Sequence, residues 1–349
     1  MNNIVSIPFF FLSQKTRPLL PARSKEQRKR RMFSYEEKIF ITGATGVIAH
    51  SLVRKLLSNS KISITLYVRS FTKVQRLYCD HPRFNDPGKV NVIQGGFNNE
   101  QPFTDAIVGH TRLFLYVPVT GYQNDEHIEI GKYFAGKAYD AGVQQIVLIS
   151  NLSWPIPLRQ LLATNSVTWR LEEAIRAIPD RKQLVTLRPC YLMSNMYQLD
   201  IPTIKSNMAI VSTHNPDQLI AWVSPKDVGH VAAKFLQELI NNGDNDIIYE
   251  LIGDFQTHKK RADILGRVLD RDIFYKNTTF KRYYSLLTSY VGLSYRTTLM
   301  VLELQSKLKR NTRTSVKELS KLLGRQPQTV EEWIKENKYA LLYHISNWN

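Results

Sequence analysis

Thr42-Gly43-Ala44-Thr45-Gly46-Val47-Ile48-Ala49 is the stretch that decides the predicted fold of this chain of 349 residues. It follows an apolar run at residues 38–41, typical of a buried parallel strand, and leads into a helical pattern that continues to Leu57. Gly43 permits the positive φ of a tight turn, and Gly46 has no Cβ to obstruct a phosphate. The stretch therefore predicts a dinucleotide-binding turn at a helix N-terminus, whereas the alternative is a tight βα turn without a ligand.

Length and composition exclude several protein classes. With 43% hydrophobic residues, the chain can bury the core of one large α/β domain or of two smaller ones. Its two cysteines, Cys79 and Cys190, match neither a disulfide framework nor the spacing of zinc ligands. No histidine has a second ligand at metal spacing either, so we expect no metal site.

Positive charge is concentrated at the amino end. The formal net charge is +17, and residues 1–35 hold eight basic residues against the single acid Glu26. We interpret residues 1–36 as a basic leader: a disordered tail, a mitochondrial transit segment or the product of a wrongly assigned start codon. Since no apolar run approaches the roughly 20 residues of a membrane span, we expect a soluble cytoplasmic protein, or a mitochondrial one if the leader is a transit segment.

Strand and helix patterns alternate along residues 37–195 at the spacing of βα units. The helical pattern that begins near Asp125 stops at Gly142, a residue type common at helix C-termini. The predicted strands after the first are residues 62–68, 90–94, 112–117, 145–150 and 184–187. Because right-handed crossovers place helices on both faces, we predict an α/β fold with a Rossmann-type doubly wound parallel sheet.

The alternation loosens in residues 196–349, which we expect to form a smaller, mostly helical α+β lobe that binds substrate or acts as a lid. Residues 221–223 read as a strand, followed by a helix through Leu239 in which Ser224 caps, Pro225 occupies N1 and Asp227 completes a capping box. Residues 247–252 read as another strand. Both units, 221–239 and 247–252, are candidates to join the Rossmann core.

Two further helix starts are predicted near the carboxyl end, at Ser315 with Glu318 and at Thr329 with Glu332. Residues 316–334 also fit a helix-turn-helix, with Gly324 at the turn. DNA binding is the weaker interpretation, because the paired acids at the start of the second helix would repel phosphates.

The ordered set of motifs resembles the NmrA-like group of atypical short-chain dehydrogenase/reductases. The matching segments are residues 42–49, 144–150, 187–189, 222–229 and 322–327. The resemblance implies a Rossmann domain that binds NAD(P), a smaller carboxyl-terminal domain over the cleft, and membership of a group that mixes reductases with cofactor-binding regulators.

Three departures from the family pattern bear on function. Where these enzymes generally carry Tyr-x-x-x-Lys after the fifth strand, this chain has residues 166–170 with the sequence SVTWR, so the usual proton donor is missing. After the third strand, Gly95-Gly96-Phe97 replaces the frequent Gly-Asp, which puts adenine contacts in doubt. The leader has no family counterpart.

Arg69 ends the second predicted strand, where an NAD-preferring site usually has an acid that binds the ribose 2′-hydroxyl. With Ser70 and Lys73 it presents cations and a hydroxyl to a 2′-phosphate, so we predict NADP(H) over NAD(H). The alternative is a solvated surface arginine. The predicted cofactor-binding residues are Thr42, Gly43, Thr45, Gly46, Val47, Arg69, Ser70, Lys73, Gly96, Phe97, Val117, Pro118, Ser150 and Pro189.

The carboxyl ends of the fourth to sixth strands should form the crevice where substrate binds. Tyr122 and Tyr191 are the candidate proton donors, and Ser150 is a candidate hydrogen-bond donor to a carbonyl oxygen. Arg170 is a candidate for steadying an oxyanion, since a guanidinium gives up no proton near neutral pH. For each tyrosine the alternative is a core or rim aromatic with a satisfied hydroxyl.

Three functions remain open at this point. We expect an NADP(H)-dependent reductase of a small organic carbonyl, imine or activated alkene, resembling NmrA-like reductases. The missing Tyr-Lys pair favours an alternative, a non-catalytic NAD(P)-sensing regulator that acts through a protein partner. The helix-turn-helix DNA binder is a minor alternative. The segments 195–215 and 280–302 are expected to shape the cleft.

Overall fold

The computed structural model describes residues 37–118, 126–152, 165–240, 246–295, 297–299, 301–302 and 313–347. The strands are β1 (Glu37–Thr42), β2 (Ile62–Val68), β3 (Val90–Gln94), β4 (Arg112–Leu115), β5 (Gln145–Ile149), β6 (Gln183–Pro189), β7 (Tyr191–Leu192), β8 (Ala209–Ser212), β9 (Ile220–Val223), β10 (Asp246–Leu251), β11 (Asp254–Gln256) and β12 (Phe274–Asn277). The helices are α1 (Val47–Leu57), α2 (Phe71–Tyr78), α3 (Gln101–Ala106), α4 (Glu126–Asp140), α5 (Asn165–Arg176), α6 (Met196–Leu199), α7 (Ile201–Asn207), α8 (Pro225–Phe235), α9 (His258–Leu269), α10 (Phe280–Ser285), α11 (Arg313–Leu323), α12 (Val330–Glu336) and α13 (Lys338–Asn347).

Seven strands form one parallel sheet in the order β10-β6-β5-β4-β1-β2-β3. Successive residues of β1 point to opposite faces: Ile39 and Ile41 enter one hydrophobic cluster with α1 and α8, whereas Phe40 enters another with α3, α4 and α5. Helices therefore cover both faces of the sheet. The predicted α/β fold with a doubly wound Rossmann-type sheet is confirmed.

The carboxyl-terminal half divides between the sheet and a separate core. β10 is an edge strand of the large sheet, and α8 packs against α1. A third hydrophobic cluster joins α7, α9, α12 and α13 with two small sheets, β11-β9-β7 and β12-β8. Among the described residues, no helix is long and apolar enough to cross a membrane.

Several predicted boundaries are wrong. β4 ends at Leu115, not at residue 117, and α8 ends at Phe235, not at Leu239. The buried guanidinium of Arg112 donates to the carbonyl oxygens of Phe235 (2.8 Å) and Glu238 (2.7 Å), and so satisfies acceptors at the end of α8.

The predicted helix-start signals have mixed outcomes. Thr329 and Glu332 form the predicted capping box at α12. α11 begins at Arg313, two residues before the start predicted at Ser315. Ser224 caps α8, but Asp227 does not complete a capping box: its carboxylate accepts from the backbone N–H of Gln328 (2.7 Å) and from Arg325 (2.5 Å).

The two helices of the possible helix-turn-helix belong to different cores. Gly324 turns the chain between them with φ of +68°. Leu319 of α11 is buried with α8 and β10, whereas Val330, Trp333 and Ile334 of α12 are buried with α9. A helix-turn-helix instead packs its two helices across each other. This packing favours the interpretation of α12 as part of the carboxyl-terminal core.

Candidate functional site

The glycine turn connects β1 to α1 as a tight, hydrogen-bonded reversal. Gly43 has φ of +62°, and its N–H donates to the carbonyl of Tyr67 at 3.2 Å. Gly46 donates to the carbonyl of Gly43 at 2.9 Å and is the N-cap of α1, where no side chain caps the helix and no acid lies in the first turn. The backbone N–H groups in the first turn of α1, which begins at Val47, are thus left to solvent or a ligand.

The remaining predicted residues of the turn have different surroundings. Thr42 is fully buried, and its hydroxyl donates to Phe114 O (3.1 Å) and accepts from the N–H of Tyr116 (3.1 Å), so it joins β1 to the end of β4. Thr45 is half-buried, while Val47 is exposed. The structure therefore uses the Thr42 side chain to hold the sheet together.

Two cations lie beyond the end of β2. Arg69 and Lys73 are exposed, and the Ser70 hydroxyl caps α2 by accepting from the backbone N–H of Lys73 at 3.3 Å. A Cβ on Gly96 would lie 3.6 Å from Cγ of Arg69, so the glycine and the arginine stem are neighbours. The three residues predicted to face a 2′-phosphate are thus grouped at one helix start.

Tyr67 explains Gly95, the first glycine of the pair after β3. A Cβ on Gly95 would lie 2.3 Å from the Tyr67 ring, and the Tyr67 hydroxyl donates to Gly96 O (3.1 Å) and Asn99 O (3.2 Å). Phe97 is half-buried against the ring of Phe134, with centroids 4.9 Å apart. This segment is held by an aromatic cluster at the point where the family often has an acid.

A cleft of about 190 Å³ opens at the carboxyl ends of β4, β5 and β6. It is lined by residues from these strand ends, from α1, α4 and α5, and from β7 and the turn after it. The lining residues are Ile48, Tyr116, Val117, His127, Leu148, Ile149, Ser150, Asn151, Leu152, Thr168, Leu171, Pro189, Cys190, Tyr191, Leu192 and Asn195. Ile48 belongs to the first turn of α1, so the glycine turn and the cleft adjoin. The predicted site residues Val117, Ser150, Pro189 and Tyr191 meet here.

Polar side chains at the end of β5 have few protein partners. Ser150 is only 8% exposed, and its hydroxyl has no hydrogen-bond partner among the described residues. The neighbouring Asn151 accepts through Oδ1 from the hydroxyl of Thr168 at 2.7 Å. A buried hydroxyl without a partner is unfavourable unless a ligand or water satisfies it, so Ser150 points to a bound group in the cleft.

Tyr116 and His127 are among the lining residues that were not predicted to belong to the site. Tyr116 follows β4 directly; desolvation of its hydroxyl raises its pKa although 41% of the residue surface stays exposed. Pro118 was the available signal, because proline ends a ladder and leaves the preceding residues outside the strand. His127 is buried in the cleft wall, with Nδ1 3.2 Å from Pro118 O.

The candidate catalytic residues are not all brought together. The Tyr191 hydroxyl donates to Val301 O at 3.5 Å, and its ring packs 5.2 Å from that of Trp222. Arg170 is exposed on α5 and is not part of the cleft lining, whereas Tyr122 falls outside the described residues. Burial raises the pKa of Cys190, so its thiol is no nucleophile near neutral pH. Within the described ranges, no cluster of His, Cys, Asp and Glu could hold a metal ion.

The sequence of this chain matches a known protein family over most of its length. The model of the NmrA-like family matches residues 35–334. The chain belongs to the NmrA-like family. No curated protein sequence matches it significantly.

Solved structures similar to this NmrA-like protein include enzymes and a regulator. Triphenylmethane reductase of Citrobacter sp., complexed with NADP(H), is 20% identical, with 86% of this chain and 99% of that one covered and a TM-score of 0.67. An NADPH-dependent quinone oxidoreductase from Escherichia coli, complexed with NADPH, is 23% identical, with 85% and 99% covered and a TM-score of 0.66. The negative transcriptional regulator NmrA, in complex with NAD, is 16% identical, with 90% and 99% covered and a TM-score of 0.66. At these identities the likeness shows the fold.

Proposed function

We propose that this NmrA-like protein is an NADP(H)-dependent reductase of a small organic carbonyl, imine or activated alkene. One observation carries the proposal: a single cleft contains both Ile48, in the uncapped first turn of α1, and the buried hydroxyl of Ser150, which has no protein partner in the described ranges. A dinucleotide turn and a hydrogen-bond donor for substrate are the two parts that such a reductase requires. Triphenylmethane reductase and the quinone oxidoreductase have the same fold.

The residues of the turn fit a dinucleotide. Gly43 gives the turn its positive φ with open space at its Cβ position, and Gly46 leaves the start of α1 without a side chain. Val117 and Pro118 follow β4, and Pro189 ends β6; these two strands flank β5, and the three residues would complete the nicotinamide end of the site. When bound, NADP(H) supplies the hydride.

A preference for NADP(H) rests on Arg69, Ser70 and Lys73. An exposed guanidinium can bind a 2′-phosphate bidentately, and the α2 N-terminus beside it has no acid in its first turn to repel the anion. The absence of an acid at residue 69 removes the usual partner of the NAD ribose.

In the substrate half of the site, the side chains of the protein bind the substrate and shield it from water. The Ser150 hydroxyl donates to the substrate oxygen, while apolar walls such as Leu152 and Leu171 keep water from it. Tyr116 keeps its proton through neutral pH, as a tyrosine ordinarily does, and its phenol can donate a hydrogen bond in the cleft where β4 ends; desolvation raises its pKa further.

Titration of the protein with NADPH and NADH, followed by nicotinamide fluorescence, tests cofactor binding. We expect tighter binding of NADPH, and in Arg69→Ala a loss of about tenfold in NADPH affinity with little change for NADH, since a charged hydrogen bond contributes about 1.5 kcal/mol or more. Arg76→Ala is the matched control, because Arg76 is an exposed arginine in the last turn of α2, the helix that Arg69 precedes. An equal loss of NADPH affinity in both variants would contradict the assignment of Arg69 to the 2′-phosphate.

Consumption of NADPH with a panel of aldehydes, ketones, imines and enones tests the reductase activity. Ser150→Ala should lower turnover by about tenfold or more while NADPH affinity is retained, since it removes a donor to the substrate oxygen. Turnover unchanged in Ser150→Ala would contradict that role.

A non-catalytic NAD(P)-sensing regulator with a protein partner is the second candidate. Residues 150–182 contain no tyrosine, and the Tyr191 hydroxyl is directed to Val301 O, so neither supplies an obvious proton donor. The regulator NmrA has the same fold. Tight NADPH binding with no consumption across the panel would favour this function.

A further inference from the structure

Asn151 is held in one orientation by α5. The hydroxyl of Thr168 donates to Asn151 Oδ1 at 2.7 Å, and Thr168 is only 7% exposed, so its hydroxyl is fixed within the wall of the cleft. This bond occupies the amide oxygen and leaves the Nδ2 hydrogens as the donating side of Asn151. No described residue accepts a hydrogen bond from that nitrogen.

A second donor lies next to Asn151 in the chain. The Ser150 hydroxyl, buried at the end of β5, also has no partner among the described residues. Both side chains line the same cleft. Two adjacent donors that the protein itself does not satisfy fit one acceptor with two lone pairs, which a carbonyl oxygen provides.

Charge restricts the class of ligand further. The described lining of the cleft contains no aspartate, glutamate, lysine or arginine, and its histidine, His127, faces Pro118 O through Nδ1 at 3.2 Å. Its walls are formed mainly by apolar residues such as Ile48, Val117 and Leu171. An anionic substrate placed there would lose its hydration without a counter-charge, which is costly. A neutral, largely apolar compound loses little hydration and gains from contact with these walls.

We propose that the cleft takes a neutral, apolar carbonyl compound whose oxygen accepts hydrogen bonds from Ser150 and Asn151, and that Thr168 is the positioning residue for Asn151. This inference rests on the proposed reductase function and names its substrate class. Two donors aimed at one oxygen stabilise the negative charge that this oxygen gains as the carbonyl is reduced. Thr168 acts through Asn151, because its hydroxyl donates to the amide oxygen and so fixes the orientation of the amide.

Infrared spectroscopy of bound acetophenone tests the arrangement without any cofactor. Hydrogen bonds to a carbonyl oxygen weaken its double bond, so the C=O stretch of bound acetophenone should lie below its value in an apolar solvent. In Thr168→Val and in Asn151→Asp, the stretch should move back toward the apolar value, and affinity for acetophenone should fall by about threefold to tenfold, the range of a neutral hydrogen bond. Thr168→Ser, which keeps the hydroxyl, should preserve both the wild-type stretch and the wild-type affinity.

Thr203→Val is the matched structural control. Thr203 is also a buried threonine whose hydroxyl donates to a carbonyl, that of Asp200 at 3.0 Å, but it lies on α7 and is not part of the cleft lining. This variant should leave the C=O stretch unchanged even where it lowers the free energy of unfolding. Benzoate, the anionic counterpart of the probe, should bind at least about tenfold more weakly than acetophenone.

The outcomes separate this inference from the proposed function. An identical C=O stretch in the wild-type protein and in folded Thr168→Val would overturn the donor pair. Tighter binding of benzoate than of acetophenone would overturn the substrate class. If acetophenone fails to bind while NADPH binds, the inference fails and the cofactor assignment stands. If NADPH fails to bind while the stretch responds to Thr168→Val, the proposed function fails instead.

Discussion

Replacing Gly229 by alanine tests how closely α8 packs against α1, the helix that carries the dinucleotide turn. A Cβ at residue 229 would lie 2.2 Å from Ser51 Oγ, 2.6 Å from Ile48 O and 2.9 Å from Leu52 N. The serine hydroxyl can rotate away, but the other two atoms belong to the backbone of α1. The two helices must therefore move apart to accept a single methyl group.

Two opposing effects of known size decide whether Gly229→Ala raises or lowers the free energy of unfolding. In a helix interior, glycine to alanine gains up to about 1 kcal/mol in the free energy of unfolding from helix propensity. Overpacking a tight interface costs about 1–3 kcal/mol, and here two backbone contacts fall below the distance that real Cβ atoms reach. We expect Gly229→Ala to be destabilised by up to about 2 kcal/mol after the propensity gain is included.

Gly136 provides the matched comparison, because it lies inside α4 and a Cβ there would meet no heavy atom within 4 Å. Gly136→Ala should be stabilised by about 0.5–1 kcal/mol. Urea unfolding gives both free energies, and NADPH titration of Gly229→Ala shows whether displacement of α1 also weakens the glycine turn. If Gly229→Ala is as stable as Gly136→Ala, the close packing of α8 on α1 is refuted.

Three further predictions concern buried polar groups. Thr186→Val should raise the free energy of unfolding by about 1 kcal/mol in urea, because the fully buried Thr186 hydroxyl on β6 has no partner among the described residues. Burial, with Arg261 and His214 nearby, holds the pKa of His258 well below its usual value, so the unfolded state binds the extra proton and stability should fall as pH drops below about 6.5; pH-dependent unfolding of His258→Gln should show a shallower slope. Asp227→Asn should lower the free energy of unfolding by about 1–3 kcal/mol, measured by thermal or urea unfolding, because it removes the negative charge that accepts the hydrogen bond from the Gln328 N–H.

Periodicity predicted the central strands of the sheet well because they are buried on both faces. β2 has the bounds expected from the sequence, since an apolar run between turn residues marks such a strand clearly; the edge strand β3 also has its expected bounds, although its residues are only partly buried. The end of β4 was misplaced because Tyr116 and Val117 are as suited to a strand as the residues before them. Hydrophobic pattern alone does not report where the ladder stops and the cleft begins.

The polar wall of the candidate site was predictable only in part. Ser150 and Asn151 follow a strand end, and strand ends of an open α/β sheet form the crevice. Thr168 gave no signal of its own, because its role depends on a bond to Asn151 across 17 residues of sequence. His127 was similarly hidden: a lone histidine on a helix has the same pattern whether it faces solvent or a cleft.

Two segments that carry the family resemblance are explained by contact with each other. Asp227, fully buried in the first turn of α8, binds the Arg325 guanidinium and the Gln328 N–H, and the Ser224 hydroxyl lies 2.6 Å from Gln328 Oε1. Neither segment lines the cleft. Since α8 also packs against α1 through Gly229, residues 222–229 connect the chain before α12 to the helix of the glycine turn. These residues support the helix of the glycine turn, and substitution there should alter stability before it alters the chemistry of the cleft.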